Sequence, residues 1–386
     1  MNFKTARRRA SKLIMLVLLS WLSSVYAAQW AVVGAGPAGI VIVGLLLDLG
    51  TPREDIVWID PEFNVGRMGQ YYSTVPGNTK TSLYIEFIQA CRTFQDCAPG
   101  ALQELQKYEL ALEYPLSIIV KPLQQITACM SQKVTTQKTM LTGLEFANDT
   151  WHIECANGFE CDAQRVVLAT GSYPRSLNYT NSPEIPLDCA LNQQLLSESV
   201  TPDDTVAVVG SAHSAVLVLK FLSEMPVGRI INFYKKPFVY TTDMGGWLLY
   251  SSSGLKGVAA EWAKNVLEKN PPCNLVRVYN SEKARAAWLP LCTKIVYAAG
   301  YDRNPIPGCN PDMNYDTQTG KIAPGLFGIG IAFPEVIIDP AGNQEHKIGL
   351  NSFMQHALEM LPEWMRTKDV LWRFKEFEEL FTIQVL

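Results

Sequence analysis

Residues 34–39 have the types and spacing of a phosphate-binding turn. Their sequence, GAGPAG, fits the pattern G-x-G-x-x-G, and the apolar run 30–33 before it is typical of a buried strand. In such a turn the first glycine allows a sharp bend, the second lets backbone approach a pyrophosphate, and the third lets a helix pack closely. The positive end of that helix would face the phosphates. We therefore predict a dinucleotide site formed by Gly34, Gly36, Pro37, Ala38 and Gly39.

An acidic residue after the next strand strengthens this prediction. The helix-length apolar segment 40–49 follows the turn, a second apolar strand spans 56–59, and Asp60 ends it. Asp60 lies 21 residues after Gly39, where a carboxylate can accept hydrogen bonds from a ribose. The alternative is a glycine-rich turn in some other α/β unit, which would not need an acid at this position.

Length, composition and charge exclude several classes of protein. A chain of 386 residues suggests two or three domains, and 48% hydrophobic content with 18% charge allows a large core. The net charge of −4 and the lack of a basic tract after the leader argue against a nucleic-acid partner. The four histidines have no metal-ligand spacing, so we predict no metal site. Nine cysteines without a C-x-x-C pair leave both disulfides and small buried apolar residues open.

Two segments between the strands extend the predicted cofactor site. Residues 63–72 combine two glycines, Gln70 and two tyrosines, which suits contact with a flat ring, although an ordinary covering loop is the alternative. Residues 73–80 also have loop composition. A meander of strands is predicted at 134–160. The buried strand after it ends in a turn of small residues that includes Thr170 and Gly171. At this turn the chain would leave the first nucleotide domain close to the cofactor.

A second and weaker dinucleotide unit follows a proline-marked linker. Its strand, 205–209, enters the turn GSAHSA at 210–215, where only the first glycine remains. The next strand, 229–234, ends in two lysines, which would attract a 2′-phosphate that an acid would repel, and this favours NADPH over NADH. Two lysines that merely keep a strand edge soluble are the alternative. The predicted cofactor residues here are Gly210, Ser211, Ser214, Ala215, Lys235 and Lys236.

The order of these segments predicts an α/β fold with two Rossmann-like dinucleotide-binding domains. The first domain would comprise 29–185 and 301–386, with C-terminal helices at 351–361 and 369–381, and the second would comprise 186–300. The segment 241–257, apolar but loop-like, is either a substrate lid or a domain contact.

This arrangement resembles the two-dinucleotide-binding-domain flavoproteins over residues 29 to about 386. Both turns are followed by similar small-residue exits, 169–171 and 298–301. Within the superfamily the chain is most similar to the flavin-containing and N-hydroxylating monooxygenases, because GSAHSA is similar to their second motif. Their loop with an asparagine near the flavin resembles 72–80, which contains Asn78. The resemblance implies FAD at the first site and NADPH at the second.

Two departures from related families limit the assignment. The histidine-containing fingerprint that precedes the second motif in the monooxygenases has no counterpart between residues 186 and 205. The disulfide reductases carry a redox cysteine pair, which is absent here, and an aspartate where this chain has Ile331. The disulfide reductases are therefore excluded.

The resemblance implies an FAD-dependent NAD(P)H oxidoreductase. It would be a monooxygenase that transfers oxygen to a nitrogen or sulfur nucleophile of a small-molecule substrate, with Asn78 as the catalytic residue near the flavin. One alternative is a flavin-dependent reductase or dehydrogenase with an organic acceptor. The other is a non-catalytic flavin-binding protein whose second site has lost its nucleotide.

The first 28 residues have the pattern of a targeting signal. A basic cluster at 7–9 precedes an apolar run at 13–22 and a small residue, Ala27, before a possible cleavage site. An export signal, a membrane anchor and a mis-assigned start upstream of Met15 are alternatives. The basic cluster should stay in the cytoplasm, which would place the core outside, away from NADPH. The lysine pair favours a cytoplasmic-facing core, with export or membrane association through residues 1–28 as the alternatives.

Overall fold

The computed structural model describes residues 26–308 and 314–366. The strands β1 to β20 span, in chain order, Tyr26–Val33, Ile56–Ile59, Pro76–Lys80, Glu113–Pro115, Thr135–Gln137, Leu141–Ala147, Thr150–Cys155, Glu160–Leu168, Ser172–Pro174, Thr205–Val209, Arg229–Tyr234, Thr242–Asp243, Leu248–Leu249, Leu275–Tyr279, Lys294–Tyr297, Tyr301–Arg303, Lys321–Ala323, Leu326–Gly328, Glu335–Ile338 and Gln344–Lys347. The helices α1 to α12 span Pro37–Asp48, Gly66–Gln70, Thr81–Gln89, Arg92–Cys97, Ala101–Leu105, Ser117–Ser131, Leu187–Ala190, Gln193–Glu198, His213–Ser223, Gly257–Trp262, Glu282–Trp288 and Leu350–Met365.

The first sheet has the strand order β17-β18-β8-β1-β2-β5 and is parallel at its centre. Its central strands are apolar on both faces, as expected for parallel strands that are covered on two sides. On one face α1, which is buried around most of its circumference, packs with α4, α6 and α12 against Trp30 and Trp58. The antiparallel meander β6-β7-β8 extends the same sheet from β8, which confirms the predicted meander, and its apolar side chains form a second core cluster with Ala31, Val33 and Val57.

The second sheet has the order β14-β11-β10-β15, and all four strands are parallel. The helices α9 and α10 bury their apolar faces with Val206 and Val208 of β10. Two dinucleotide-type sheets in one chain confirm the predicted fold class. The two passages of the chain between the sheets run side by side, because β9 and β16 pair in an antiparallel ribbon.

Several boundaries differ from the sequence prediction. The first strand begins at Tyr26 rather than Trp30, and residues 26–28 pair with β8. The first helix begins at Pro37, because proline fits the first helical position, where no N–H is needed. Residues 76–80 form β3, paired with β4, instead of a loop, and α2 interrupts the loop predicted at 63–72.

The segment 241–257 contains the short hairpin β12-β13 and is tied to the first sheet's side of the molecule. The backbone N–H of Ser252 and the hydroxyl of Ser253 donate to the buried carboxylate of Glu345 on β20, at 2.6 and 2.8 Å. These bonds favour the domain-contact interpretation over a lid.

Other predictions concern the termini and the cysteines. The leader up to residue 25 and the helix predicted at 369–381 lie outside the described residues. Among the residues described, no helix is long and apolar enough to cross a membrane. Cys97 and Cys129 form a disulfide that joins α4 to α6, while Cys91 and Cys161 are buried free thiols.

Candidate functional site

A cavity of about 640 Å³ opens at the carboxyl ends of β1 and β2. This volume lies within the range of small-molecule sites, roughly 300–1,000 Å³. Nine of the residues predicted from sequence line it: Gly34, Gly36, Pro37, Ala38, Asp60, Gln70, Asn78, Thr170 and Gly171.

The first glycine turn has a distinct geometry at each of its glycines. Gly34 adopts φ +111°, and a Cβ there would lie 2.2 Å from the Ala169 carbonyl oxygen. A Cβ on Gly39 would lie 1.9 Å from the Gly34 carbonyl oxygen, so this glycine serves helix packing and does not line the cavity. A Cβ on Gly36 would meet no atom of the described part of the chain within 4 Å. The space beside Gly36 is therefore open to a ligand at the N-terminus of α1.

Asp60 is held rigidly at the cavity wall. Its Oδ2 accepts the Ala35 backbone N–H at 2.6 Å, and its Oδ1 accepts the N–H groups of Glu62 and Phe63 at 2.8 and 2.6 Å. The carboxylate therefore fixes the turn directly, besides facing the cavity. Sequence spacing predicted its place but not these backbone contacts.

The turn at Thr170, after β8, is hydrogen-bonded to Asn304, which follows β16 where the chain returns to the first sheet. The Asn304 side-chain Nδ2 donates to the Thr170 carbonyl at 2.7 Å, and the Asn304 backbone N–H donates to the Gly171 carbonyl at 3.1 Å. The Thr170 hydroxyl oxygen is buried at the cavity wall without a hydrogen-bond partner among the described residues. A buried hydroxyl without a hydrogen-bond partner destabilises the folded state, so we expect the Thr170 hydroxyl to bond to a ligand in the cavity.

The predicted Asn78 lies on β3 and lines the same cavity. Its Oδ1 accepts the Thr79 hydroxyl at 3.4 Å, which leaves the amide nitrogen available as a donor. The strand pairing of β3 with β4 positions this side chain, which the sequence had assigned to a loop.

The second glycine turn repeats the backbone geometry of the first. Gly34 N–H donates to the carbonyl of Ile59 at 2.7 Å, and Gly210 N–H donates to that of Phe233 at 2.9 Å. A Cβ on Gly210, at φ +142°, would lie 2.2 Å from the Ala298 carbonyl, matching the contact of Gly34. The second turn is therefore a structural counterpart of the first, although Ala215 replaces its last glycine.

The residues predicted at the second turn do not line the first cavity. Gly210, Ser211, Ser214 and Ala215 stand around the start of α9 instead. Lys235 and Lys236 are both exposed after β11.

In the second unit, the residue at the position of Asp60 is not Lys235, as the sequence suggested, but the residue before it. Because Gly34 bonds to Ile59 and Gly210 to Phe233, the position equivalent to Asp60 is Tyr234. The guanidinium of Arg277 stacks 4.7 Å from the Tyr234 ring and has a buried Nη2 atom without a partner among the described residues. This cation could not be predicted from the motif, because Arg277 lies on β14, 43 residues after Tyr234 in the chain.

His213 begins α9 inside the second turn. Its Nδ1 atom is buried and has no hydrogen-bond partner within the described part of the chain. Burial, with a smaller contribution from Lys256, lowers the pKa of His213 to about 4. The imidazole is therefore neutral at neutral pH.

A polar network joins the two dinucleotide units at the cavity. Asp188 on α7 accepts hydrogen bonds from the Arg67 guanidinium and from the Tyr72 hydroxyl, and both donors line the cavity. The Tyr72 hydroxyl is also 3.3 Å from the hydroxyl of Tyr301, which lines the cavity too. A phenol has one proton to donate, and Tyr72 donates its proton to Asp188. The hydroxyl of Tyr301 is therefore the donor in the bond between the two tyrosines.

Burial dominates the electrostatics of this network. Burial, the neighbouring Tyr301 and the bond to Asp188 raise the pKa of Tyr72 well above its ordinary value. Burial likewise raises the pKa of Tyr301. Both phenols are therefore protonated hydrogen-bonding groups at neutral pH. The network was invisible in the sequence because Arg67 and Asp188 lie 121 residues apart.

Comparison of the chain with known proteins identifies its family. No protein-family model matches the chain. Monooxygenase AgnR1 of Paecilomyces divaricatus is 32% identical to it over an alignment of 381 residues, and the match covers 86% of this chain and 97% of that protein. The chain belongs to this monooxygenase family. The implied resemblance to flavoprotein monooxygenases is thereby confirmed.

Solved structures share the fold of this monooxygenase. The ornithine N-hydroxylase of Kutzneria sp. 744 superposes with a TM-score of 0.59 at 12% identity, over 88% of this chain and 99% of that one. A flavin-containing monooxygenase from Stenotrophomonas maltophilia gives 0.55 at 12% identity, over 88% and 98%. The thioredoxin reductase of T. acidophilum gives 0.52 at 12% identity, over 88% and 100%. At these identities, the likeness concerns the fold alone.

Proposed function

We propose that this protein is an FAD-dependent monooxygenase that uses NADPH to oxygenate a nitrogen or sulfur nucleophile. In the net reaction, NADPH, a proton, O2 and the nucleophile yield NADP+, water and the N- or S-oxygenated product. The observation that carries the proposal is the cavity at the first glycine turn, within a member of a monooxygenase family.

The residues at this cavity fit FAD. The open space beside Gly36 at the N-terminus of α1 suits a pyrophosphate, and Asp60 stands at the wall where a ribose would follow. The unpartnered Thr170 hydroxyl supplies a polar contact that the protein itself does not satisfy. The ornithine N-hydroxylase of the same fold was solved with reduced FAD and NADP+, which supports this choice of cofactor.

Bound FAD would supply the redox and oxygen chemistry, while the chain supplies binding, orientation and exclusion of water. Gln70 and Asn78 would donate or accept hydrogen bonds along the ring system, and Asn78 keeps its amide nitrogen free for that purpose. Tyr72 and Tyr301 line the same cavity, and their hydroxyl protons are already donated to Asp188 and to Tyr72, so toward a ligand their hydroxyl oxygens would act as acceptors.

NADPH would bind at the second turn, with its phosphates near Gly210, Ser211, Ser214 and Ala215. The matching backbone geometry of the two turns supports this assignment. Lys235 and Lys236 would contact the 2′-phosphate, because they are exposed cations one and two residues beyond the ribose-binding position.

The proposed division of the chain follows from the two sites. Residues 29–185 and 301–386 would form the FAD domain, and 186–300 would form the NADPH domain. The two sheets and the ribbon β9-β16 between them support these boundaries.

The proposal is tested by following the fate of oxygen. The flavin-loaded protein is supplied with NADPH, isotopically labelled O2 and a panel of primary amines and thioethers. A monooxygenase places one labelled oxygen atom in a product and releases correspondingly less hydrogen peroxide. Release of all electrons as hydrogen peroxide, or to an added quinone, with every nucleophile would instead support a reductase.

A further inference from the structure

A second cavity of about 580 Å³ adjoins the proposed cofactor cavity. It lies beside the ribbon β9-β16, where the chain passes between the two sheets. The two cavities share seven lining residues: Ser172, Tyr301, Asn304, Pro305, Ile306, Ile331 and Ile348. An occupant of the second cavity can therefore reach the wall of the first.

Arg303 lines this second cavity and has no carboxylate partner among the residues that the structure describes. Its Nε donates to the Ala332 carbonyl at 2.8 Å, and its guanidinium stacks 4.0 Å from the centre of the Phe333 ring. These contacts fix the side chain but leave both terminal nitrogens without a hydrogen bond or ion pair among the described residues. Burial lowers the pKa of Arg303, against a smaller opposing effect of Tyr315.

The remaining charges of the cavity nearly cancel. Arg175 forms an ion pair with Asp302, with nitrogen–oxygen distances of 2.8 and 2.5 Å. His346 is exposed at the rim. The cavity therefore carries one net positive charge, which is located on Arg303.

The lining of this cavity also contains three isoleucines. Ile331 and Ile348 remain 40% and 48% exposed, and the buried Ile306 lies beside them in the lining. Large apolar side chains left this accessible around a concave site are typical of ligand-binding surfaces.

We propose that this second cavity is the substrate subsite and that it takes an organic anion with an apolar body. The anionic group, a carboxylate, pairs with the two free nitrogens of Arg303 in the bidentate geometry that guanidinium favours. The apolar body lies on Ile306, Ile331 and Ile348 and directs the nucleophile toward the shared wall. This substrate class rests on the proposed monooxygenase function, whereas binding of the anion does not.

The test measures binding without turnover. Naphthoate and its neutral counterpart naphthamide are titrated calorimetrically into the purified flavin-loaded protein in the absence of NADPH. We expect naphthoate to bind the native protein at least about tenfold more tightly than Arg303→Met, as for one charged hydrogen-bonded pair. Naphthamide should bind both proteins weakly and equally.

Two further variants make the result independent of folding defects. Asp302→Asn removes a negative charge and frees Arg175, so it should tighten naphthoate binding; unchanged or weaker binding opposes the proposal. Arg285→Met is a matched control, because Arg285 also stacks on an aromatic ring, 4.7 Å from Tyr179, but lies outside the cavity. It should leave naphthoate affinity unchanged.

Other outcomes would overturn the assignment. Equal affinity of native protein and Arg303→Met for naphthoate would show that Arg303 does not recognise the anion. Loss of naphthoate binding in saturating NADP+ would assign the cation to the nucleotide instead. Bleaching of the flavin by NADPH is recorded separately, so failure of the redox function is distinguishable from failure of the anion site.

Discussion

At the scale of single residues, Gly36 gives the sharpest test of the proposed FAD site. A Cβ there meets no atom of the described residues within 4 Å, so Gly36→Val should fold normally while its side chain fills the space of the pyrophosphate. We expect flavin affinity to fall by roughly a hundredfold, about 2.7 kcal/mol, measured by titrating FAD into native and variant apo-protein. A full flavin complement in this variant would show that the site is elsewhere.

Gly39 provides the matched control for that substitution. Because its Cβ would lie 1.9 Å from the Gly34 carbonyl, Gly39→Ala should destabilise the apo-protein by about 1–3 kcal/mol or more. Gly36→Val should leave apo-protein stability nearly unchanged. Thermal unfolding of both apo-variants therefore separates the ligand-facing glycine from the packing glycine.

The lysine pair makes a prediction about cofactor preference. Replacing Lys235 and Lys236 together by alanine should raise the KM for NADPH but not for NADH, because only NADPH carries the 2′-phosphate. The expected loss is on the order of 1–3 kcal/mol, as for hydrogen bonds between charged groups. Steady-state kinetics with both nucleotides measure it, and an unchanged ratio of the two KM values would remove these lysines from the site.

His213 gives the fold a dependence on acid. Its pKa is lowered to about 4 in the folded protein, from an ordinary value of 6.5. Between pH 6.5 and 4 the imidazole of His213 is protonated in the unfolded chain but remains neutral in the folded protein. Its contribution to the free energy of unfolding therefore falls as pH drops from about 6.5 to 4. Relative to His213→Gln, the native protein should lose on the order of 1–3 kcal/mol between pH 7 and pH 4.5. Parallel unfolding curves across this range would contradict the burial argument.

At the scale of elements, Asp188 ties α7 to α2 and to the cavity. Asp188→Asn should remove the ion pair with Arg67 and weaken the bond from Tyr72, costing about 1–3 kcal/mol of unfolding free energy. The exposed pair Arg92–Asp96 is the control, and Asp96→Asn should cost less than about 1 kcal/mol. Equal effects in chemical denaturation would mean that the partly buried network contributes no more than a surface pair.

Elements set by local sequence were predictable, whereas those set by distant partners were not. The glycine turn and Asp60 follow from residue types within 27 positions, so both were found. Residues 76–80, PGNTK, have turn composition and form β3 only because β4 pairs with them. The Asp188 contacts require a fold that brings distant segments together, and Tyr234 is recognised as the counterpart of Asp60 only from strand register.

The start of the first strand shows a similar limit. Residues 26–28 pair with Cys161, Asp162 and Ala163 of β8, although they follow a targeting-like segment and lack a continuous apolar pattern. A cut after Ala27 would therefore remove two paired residues from the edge of β1. Local composition alone could not reveal this pairing.

At the scale of the whole molecule, the chain forms two dinucleotide-type sheets and passes between them through the paired strands of the β9-β16 ribbon. The first carries the large cavity, the second repeats its turn, and the Tyr301–Tyr72–Asp188 bonds join them. In the proposed function, the unit that binds NADPH would deliver electrons to the FAD held by the other unit. The adjoining cavity with Arg303 is the proposed substrate subsite.

Reduction of a bound flavin by NADPH is tested most directly by an anaerobic titration of the purified protein with NADPH, followed by visible absorbance. We expect the protein to carry the absorbance bands of oxidised flavin and NADPH to bleach them stoichiometrically. Admission of oxygen should then restore the bands. A colourless protein that takes up no FAD, or a bound flavin that NADPH leaves unchanged, would contradict the proposed function.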